Sequence, residues 1–297
     1  QLYDVPLLPP SFVERPEIFD PLITQLLESN HEHSIFVKPP IAITSASSLG
    51  GVGKTTIATA LCHDYRVRKT FTDGILWVTL GESPDILRIL NDQLRHLGLQ
   101  EMATDVHVAE HELQELIRDK NVLIVLDDVW NATHLNHFRS TDKSQILVTT
   151  RFKDIVRELR VTDPVEVGQM TTEQAIAMLS SGLSQATAAQ HSFISALAIR
   201  LHQWPLMLDI ANSVLRHRIA NHDSLSESIN QSAKRDGLGE ALKYIFEVLD
   251  REEFNGFGEK FDDKRYQSAI RTIQTDVSVE FKNLQSSLSE LVDQAPI

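Results

Sequence analysis

The sequence predicts an α/β fold, in which a parallel sheet carries flanking helices and an all-α part follows. Two observations carry this prediction. Up to about residue 169, short runs of valine, isoleucine and leucine alternate with longer amphipathic segments, as expected of strands and helices in a doubly wound sheet. After that point the strand-like runs stop and only helical patterns continue.

The elements of the α/β part follow in order along the chain. Residues 1–16 contain four prolines and should form an extended linker, before a helix over 16–29 and a polar link over 30–40. Uninterrupted apolar runs indicate strands that are buried on both faces, and apolar residues three and four apart indicate helices. By these criteria, strands are expected at 41–44, 75–80, 122–126, 145–149 and 165–167, and helices at 54–64, 84–97, 105–119 and 132–138.

The all-α part is expected to contain six helices. Thr171 and Thr172 precede Glu173 and are suited to cap the first of them. The helices are expected at 171–181, 187–202, 205–218, 238–250, 264–273 and 277–293. The elements divide the chain into an N-terminal linker with its helix, an α/β domain and two helical segments, with limits at 1–40, 41–169, 170–236 and 237–297.

A glycine-rich loop at 50–56 predicts that the α/β domain is a P-loop NTPase domain. Glycines let successive backbone amides face one small space, and the helix that follows adds its positive N-terminal end. Lys54 can reach the β- and γ-phosphates, and the Thr55 hydroxyl can ligate Mg²⁺. Ser48 replaces the first glycine of the G-x-x-x-x-G-K-S/T pattern, and the glycines after it can supply the missing freedom. The expected phosphate-binding residues are Gly50, Gly51, Val52, Gly53, Lys54, Thr55 and Thr56.

Two carboxylates follow the apolar run at 122–126. Asp127 emerges at the carboxyl end of the predicted strand, where ligands bind in open α/β sheets, and should hold Mg²⁺ directly or through water. Asp128 is the candidate general base that polarises a water molecule against the γ-phosphate. The alternative is that Asp128 only supports Mg²⁺ and that hydrolysis is very slow.

The composition narrows the function classes. The net charge of −13 argues against direct nucleic-acid binding, which needs a basic face. No run of 18 apolar residues and no signal-peptide pattern is present, so no membrane association is expected. The single cysteine, Cys62, fits a reducing compartment, and a cytoplasmic location is expected. Since the chain starts with Gln1 and ends near a helical pattern, we expect it to be a fragment of a longer polypeptide.

Three segments together resemble the NB-ARC domain of the signal-transducing ATPases with numerous domains. They are the loop at 50–56, Leu-Ile-Val-Leu-Asp-Asp-Val-Trp at 123–130 and Gln-Ile-Leu-Val-Thr-Thr-Arg at 145–151. The family includes plant disease-resistance proteins and the animal apoptotic protease-activating factor. The resemblance implies a switch in which ADP holds a closed state, and ATP with Mg²⁺ drives opening and self-oligomerisation in immunity or programmed cell death. Effector and sensor domains would lie outside this chain.

The resemblance also assigns roles to residues outside these loops. Val13 and Arg15 resemble family positions that approach the adenine, and Pro205 resembles the proline that packs on adenine or ribose. Arg151 resembles the arginine that reports which nucleotide is bound. The charge supports this role, because a guanidinium binds phosphate in bidentate fashion. The alternative is that Arg151 pairs with Asp154 at the surface.

These observations predict the nucleotide switch of an NLR-like protein, with slow ATP hydrolysis that depends on Lys54, Asp128 and Arg151. Residues 237–297 resemble the helical lead-in to a winged-helix domain that the chain does not complete. Two alternatives remain open. One is the ATPase of a transcription regulator whose DNA binding is supplied elsewhere, and the other is a P-loop phosphotransferase, for which the helical half offers no catalytic base.

Overall fold

A computed structural model describes residues 1–29, 38–45, 50–183, 187–228 and 237–251. The chain separates into two compact units, Gln1–Gly168 and Gln169–Ile297, which we call the first and the second unit. The first unit contains the sheet and the second is helical in the residues described. The predicted α/β fold followed by an all-α part is therefore confirmed.

The first unit is built on one six-stranded sheet in which every pairing is parallel. The order of the strands is β1-β3-β4-β5-β2-β6, so β5 lies between β2 and β4. All five predicted strands are present, and one further strand precedes them. The strands are β1 Leu2–Tyr3, β2 Ile41–Ser45, β3 Gly74–Gly81, β4 Val122–Val129, β5 Gln145–Thr149 and β6 Val165–Val167.

Two helices of the first unit were not predicted, α3 (Tyr65–Thr70) and α6 (Lys153–Glu158), and each has six residues. Such short helices contain too few turns to show a periodic apolar pattern. Asp64 explains the first of them, because it ends α2 in an extended conformation and its side chain accepts from Arg66 N of α3. The helices are α1 Pro16–Ser29, α2 Lys54–His63, α3 Tyr65–Thr70, α4 Ile86–His96, α5 Val106–Ile117 and α6 Lys153–Glu158, with a 3-10 helix over Ala132–His137.

The core of the first unit lies around the central strands. Leu76 of β3 is in register with Ile124 of β4, which is in turn in register with Ile146 of β5, and all three are buried. Leu90 of α4 and Leu113 of α5 belong to the same buried cluster. This packing explains why the strands read as continuous apolar runs. It leaves the carboxyl ends of the strands as the edge where polar side chains gather.

The linker predicted for residues 1–16 begins with β1, which pairs with β3 at the edge of the sheet. The ring of Tyr3 lies close to Gly74, where an added Cβ would be 2.9 Å from Tyr3 Cε2, and its centroid is 5.4 Å from that of His96. His96 Nε2 lies 2.7 Å from Asp4 Oδ2, and His63 Nε2 lies 2.9 Å from the carbonyl oxygen of Pro6. A two-residue strand is too short to be recognised from sequence, yet these contacts attach the N-terminal segment to the first unit.

The second unit begins with two helices that have the same start signal. Thr171 caps α7 and Thr187 caps α8, and each exchanges two hydrogen bonds with a glutamine three residues later. The predicted helix at 205–218 continues to Ser228, whereas the helices predicted at 264–273 and 277–293 lie outside the described residues. The helices are α7 Thr172–Ser180, α8 Ala188–Arg200, α9 Pro205–Ser228 and α10 Gly237–Arg251. Among the helices that the structure describes, none has the length and apolar character needed to cross a membrane.

Replacement of Gly74 by alanine is expected to destabilise the first unit. Gly74 has φ +142° and Tyr3 occupies the space of its missing side chain, so both strain and a steric clash arise. We expect a loss of about 1–3 kcal/mol in the free energy of unfolding, measured by urea titration. Gly98→Ala is the matched control, because Gly98 has φ +100° and no described residue lies within 4 Å of an added Cβ. Equal losses in both variants would contradict the role of the Tyr3 contact.

Candidate nucleotide site

The phosphate loop joins β2 to α2 and depends on glycine for its conformation. Gly51 and Gly53 have φ of 82° and 96°, a region that side chains with a Cβ disfavour. Gly53 precedes α2, and its carbonyl oxygen accepts the first helical hydrogen bond from Ile57 N at 2.9 Å. Val52 is 1% exposed and anchors the loop in the core. Ser48, which replaces the first glycine of the pattern, lies outside the described residues.

Arg15 is bonded to the backbone of the phosphate loop. Its Nη1 donates to the carbonyl oxygens of Gly168 at 3.1 Å and Val52 at 3.5 Å, and its Nε donates to Glu17 at 3.3 Å. Burial lowers the pKa of Arg15, and the hydrogen bond to Glu17 opposes that effect. Val13 is half-buried two residues earlier. Arg15 therefore supports the loop, and the adenine contacts assigned to Arg15 and Val13 remain predictions.

One oxygen of Asp127 joins three elements at the carboxyl end of the sheet. Its Oδ1 accepts from Thr55 Oγ1 of α2 at 2.9 Å and from Thr149 Oγ1 of β5 at 2.7 Å. Thr149 Oγ1 also accepts from the backbone N of Asp128 at 2.9 Å. Thr149 was not among the site residues predicted from the sequence. The only signal was its place at the end of a strand that runs beside the acidic one.

Burial shifts the pKa values of two charged groups of the site, Asp127 and Lys54. Burial raises the pKa of Asp127, while the hydroxyls of Thr149 and Thr55 oppose the rise and the charge of Asp128 adds to it. Burial lowers the pKa of Lys54, as does the positive charge of Arg151, and the two aspartates oppose the fall. A cation beside Asp127 and an anion beside Lys54 would relieve both penalties. A carboxylate with a threonine hydroxyl is a donor set that fits Mg²⁺, which prefers oxygen ligands.

Asp128 is held by two donors. It has φ 54°, and its Oδ2 accepts from Trp130 Nε1 at 2.9 Å while its Oδ1 accepts from Arg151 Nη2 at 3.4 Å. The alternative partner of Arg151 is occupied elsewhere, because Asp154 pairs with Arg157 at 2.9 Å. Arg151 is therefore paired inside the site and not with the surface carboxylate of Asp154.

Arg151 also lies beside the phosphate loop. A Cβ built on Gly50 would be 3.8 Å from Arg151 Nη1, an ordinary contact distance, so the guanidinium lies against the loop at Gly50. The structure thus brings Lys54, Arg151 and the two aspartates of β4 to one end of one sheet, the position where ligands bind in open parallel sheets. Thr56 lies in the first turn of α2. Pro205 begins α9 of the second unit, and its contact with a nucleotide remains a prediction.

Comparison with known families and curated proteins gives consistent matches. The sequence profile of the family described as the NB-ARC domain matches residues 20–189, more than half of the 297 residues. Disease resistance protein RPS5 of Arabidopsis thaliana is 24% identical over 230 residues, which cover 69% of this chain and 25% of RPS5. Disease resistance protein SUMM2 of the same plant is 24% identical over 263 residues, which cover 82% of this chain and 28% of SUMM2. The chain spans about a quarter of the length of these relatives.

Solved structures support the fold. The ORC2 protein of Aeropyrum pernix matches with a TM-score of 0.55 and 12% identity, over 84% of this chain and 73% of that protein. Cdc6p of Pyrobaculum aerophilum matches with a TM-score of 0.51 and 12% identity, over 90% of this chain and 83% of that protein. At this level of identity the likeness concerns the fold alone.

Replacement of Asp127 by asparagine is expected to stabilise the nucleotide-free protein. Because burial raises the pKa of Asp127, the folded state binds a proton more tightly than the unfolded state does. The ionised carboxylate therefore lowers stability at neutral pH, and this cost disappears as the pH falls to the ordinary range of aspartate. Asparagine keeps an oxygen that accepts from Thr55 and Thr149.

We expect Asp127→Asn to raise Tm at pH 7 in EDTA by a few degrees, with the difference shrinking toward pH 4. Asp154→Asn is the control, since the side chain of Asp154 is 91% exposed. A lower Tm for Asp127→Asn at pH 7 would contradict the electrostatic account.

Proposed function

The chain belongs to the NB-ARC domain family, and we propose that it is a nucleotide-operated switch that binds ADP or ATP with Mg²⁺. The observation that carries the proposal is a cluster of four charged side chains beside a loop whose glycines have positive φ. In this cluster, the charge of Lys54 interacts with those of Asp127, Asp128 and Arg151. A triphosphate needs converging donors and a metal site in one small space. These residues provide both at the carboxyl end of the sheet.

In the proposed complex, the loop amides and the N-terminus of α2 surround the phosphates, and Lys54 binds the β- and γ-phosphate oxygens. Thr55 and Asp127 hold Mg²⁺. When bound, the metal ion neutralises part of the phosphate charge. The buried carboxylate of Asp127 then gains a counter-charge, which makes metal binding favourable at a position that is otherwise costly to ionise.

Hydrolysis of ATP to ADP and phosphate is expected to be slow. Asp128 is the candidate base that would take a proton from the attacking water, but both of its oxygens accept hydrogen bonds from Trp130 and Arg151. Each oxygen keeps a second lone pair, but the two bonds fix the orientation of the carboxylate, and a base must point at the attacking water to take its proton. Slow turnover suits a switch, because the bound nucleotide then sets the state of the protein for a long time.

Arg151 is proposed to distinguish ATP from ADP. In the structure it pairs with Asp128 at 3.4 Å, a long contact that a γ-phosphate with its higher charge can replace. ADP lacks that group and leaves the pair intact. Such a difference in contacts is the thermodynamic condition for a ligand to shift a conformational equilibrium.

We extend this proposal to the whole protein by analogy with the curated relatives, which are disease resistance proteins. The ADP-bound form would be closed, and ATP would open it and permit self-oligomerisation in a cytoplasmic NLR-like signalling protein. Effector and sensor domains outside this chain would act in immunity or programmed cell death. Domain limits near residues 40, 169 and 236 are part of the same proposal.

The first test is the nucleotide content of the purified chain, measured by ion-exchange chromatography after denaturation. We expect one ADP per chain, and none in Lys54→Ala, because the variant loses the cation that faces the phosphates. Lys69→Ala is the control, since Lys69 is exposed on α3. An empty chain without affinity for ATP would contradict the proposal, and rapid turnover would favour an ordinary ATPase or a phosphotransferase.

The second test concerns nucleotide selectivity. Loss of the charged hydrogen bonds of Arg151 should cost about 1.5–3 kcal/mol in binding a triphosphate, or roughly a ten- to hundred-fold loss of affinity. We expect Arg151→Ala to weaken a slowly hydrolysed ATP analogue by this factor in calorimetry with Mg²⁺, and to leave ADP binding within about three-fold. Arg157→Ala is the matched control, because Arg157 is exposed and pairs with Asp154. An equal loss for both nucleotides would refute the discriminating role.

A further inference from the structure

Trp130 contacts both charged side chains whose behaviour the proposed switch depends on. Its indole Nε1 donates to Asp128 Oδ2 at 2.9 Å, and the Cζ atom of Arg151 lies 4.7 Å from the centroid of its ring. One aromatic side chain therefore holds a carboxylate at its edge and a guanidinium over its face. The ring itself is only half-buried, so packing in the core does not account for its position.

The position of the Trp130 ring is itself held by the segment after β5. Phe152 packs against the ring in an edge-to-face arrangement, with centroids 5.2 Å apart. The backbone N of Phe152 donates to Thr150 Oγ1 at 3.1 Å, and that hydroxyl donates to the carbonyl oxygen of Val129 at 2.7 Å. These bonds tie the residues around Trp130 to the residues around Arg151. The ring therefore has a packing contact with Phe152 on one side, in addition to its contacts with the two charged groups.

The remaining contacts of Arg151 hold it weakly. Its bond to Asp128 is 3.4 Å long, and its Nε is buried with no hydrogen-bond partner among the residues that the structure describes. A planar guanidinium gains both orientation and energy from stacking on an aromatic face. The ring of Trp130 therefore contributes much of what keeps Arg151 Nη1 beside Gly50 and the phosphate loop.

We propose that Trp130 is a positioning residue of the nucleotide site. Its ring presents Arg151 to the phosphate loop, which favours a triphosphate, and its N–H restrains Asp128, which slows hydrolysis. Trp130 touches neither nucleotide nor metal in this role and acts through the two charged side chains. The inference rests on the proposed nucleotide function.

Two substitutions separate the two contacts of Trp130. Trp130→Phe keeps an aromatic face and removes the N–H, so the ratio of affinities for a slowly hydrolysed ATP analogue and ADP should stay within about two-fold, while single-turnover hydrolysis rises about three-fold or more. Trp130→Leu removes both contacts, so the same ratio should fall about five-fold as well. Trp77→Phe is the matched control, because Trp77 is buried and donates its Nε1 to Thr79 Oγ1 at 3.1 Å and not to Asp128.

A purely structural role for Trp130 would weaken both nucleotides alike and would persist without Arg151. We therefore expect Trp130→Leu to leave the affinity ratio unchanged when it is introduced into Arg151→Ala. If the leucine variant fails to fold, Phe152→Leu, which removes the edge contact with the ring, should move the ratio in the same direction.

An unchanged ratio of ATP-analogue to ADP affinity in Trp130→Leu would overturn the role of the ring in positioning Arg151. Unchanged or slower hydrolysis in Trp130→Phe would overturn the restraint on Asp128. Either result in a chain that still binds nucleotide leaves the proposed function intact. An unmodified chain that binds neither nucleotide would overturn the function and this inference together.

Discussion

The site depends on one buried carboxylate oxygen that has two hydroxyl donors. Asp127 Oδ1 accepts from threonines of α2 and β5, so the helix after the phosphate loop and two strands are bonded at a single atom. Thr149 Oγ1 also accepts from the backbone N of Asp128, so the same hydroxyl helps to fix the backbone position of the second aspartate. Displacement of any one of these elements would strain the others. The order of the strands makes this possible, since β5 separates the phosphate-loop strand from the acidic strand.

Burial of charge without full compensation is the second constraint on the molecule. The pKa values of Asp127 and Lys54 are displaced in opposite directions, and in both cases burial is the largest cause. A folded protein that keeps such groups gives up stability at this position, and under the proposed function a bound metal ion and polyphosphate would offset that loss. The pair between Arg151 and Asp128 is long, at 3.4 Å. A shorter and stronger pair would compete more strongly with an anionic ligand for Arg151.

Within the described residues, the sequence was sufficient to predict every element with a long or regular pattern. Uninterrupted apolar runs predicted five strands, and the glycine loop and the acidic strand predicted which end of the sheet carries the candidate site. What it did not predict depends on contacts between distant segments. The strand β1 exists because Tyr3 fits against a glycine in β3, and Thr149 enters the site because a neighbouring strand places it beside Asp127. Trp130 was part of a recognised motif, but its partners became visible only with the side chains in place.

The single cysteine of the chain has a consequence for control of the molecule. Cys62 lies fully buried on α2, the helix that starts at the phosphate loop, and burial raises the pKa of its thiol. A protonated thiol inside the core is a poor nucleophile and reacts slowly with oxidants and electrophiles. The helix that begins at the phosphate loop therefore carries no thiol that responds readily to the redox state of its surroundings. For the proposed switch, this means that oxidants do not reach the nucleotide site through this thiol.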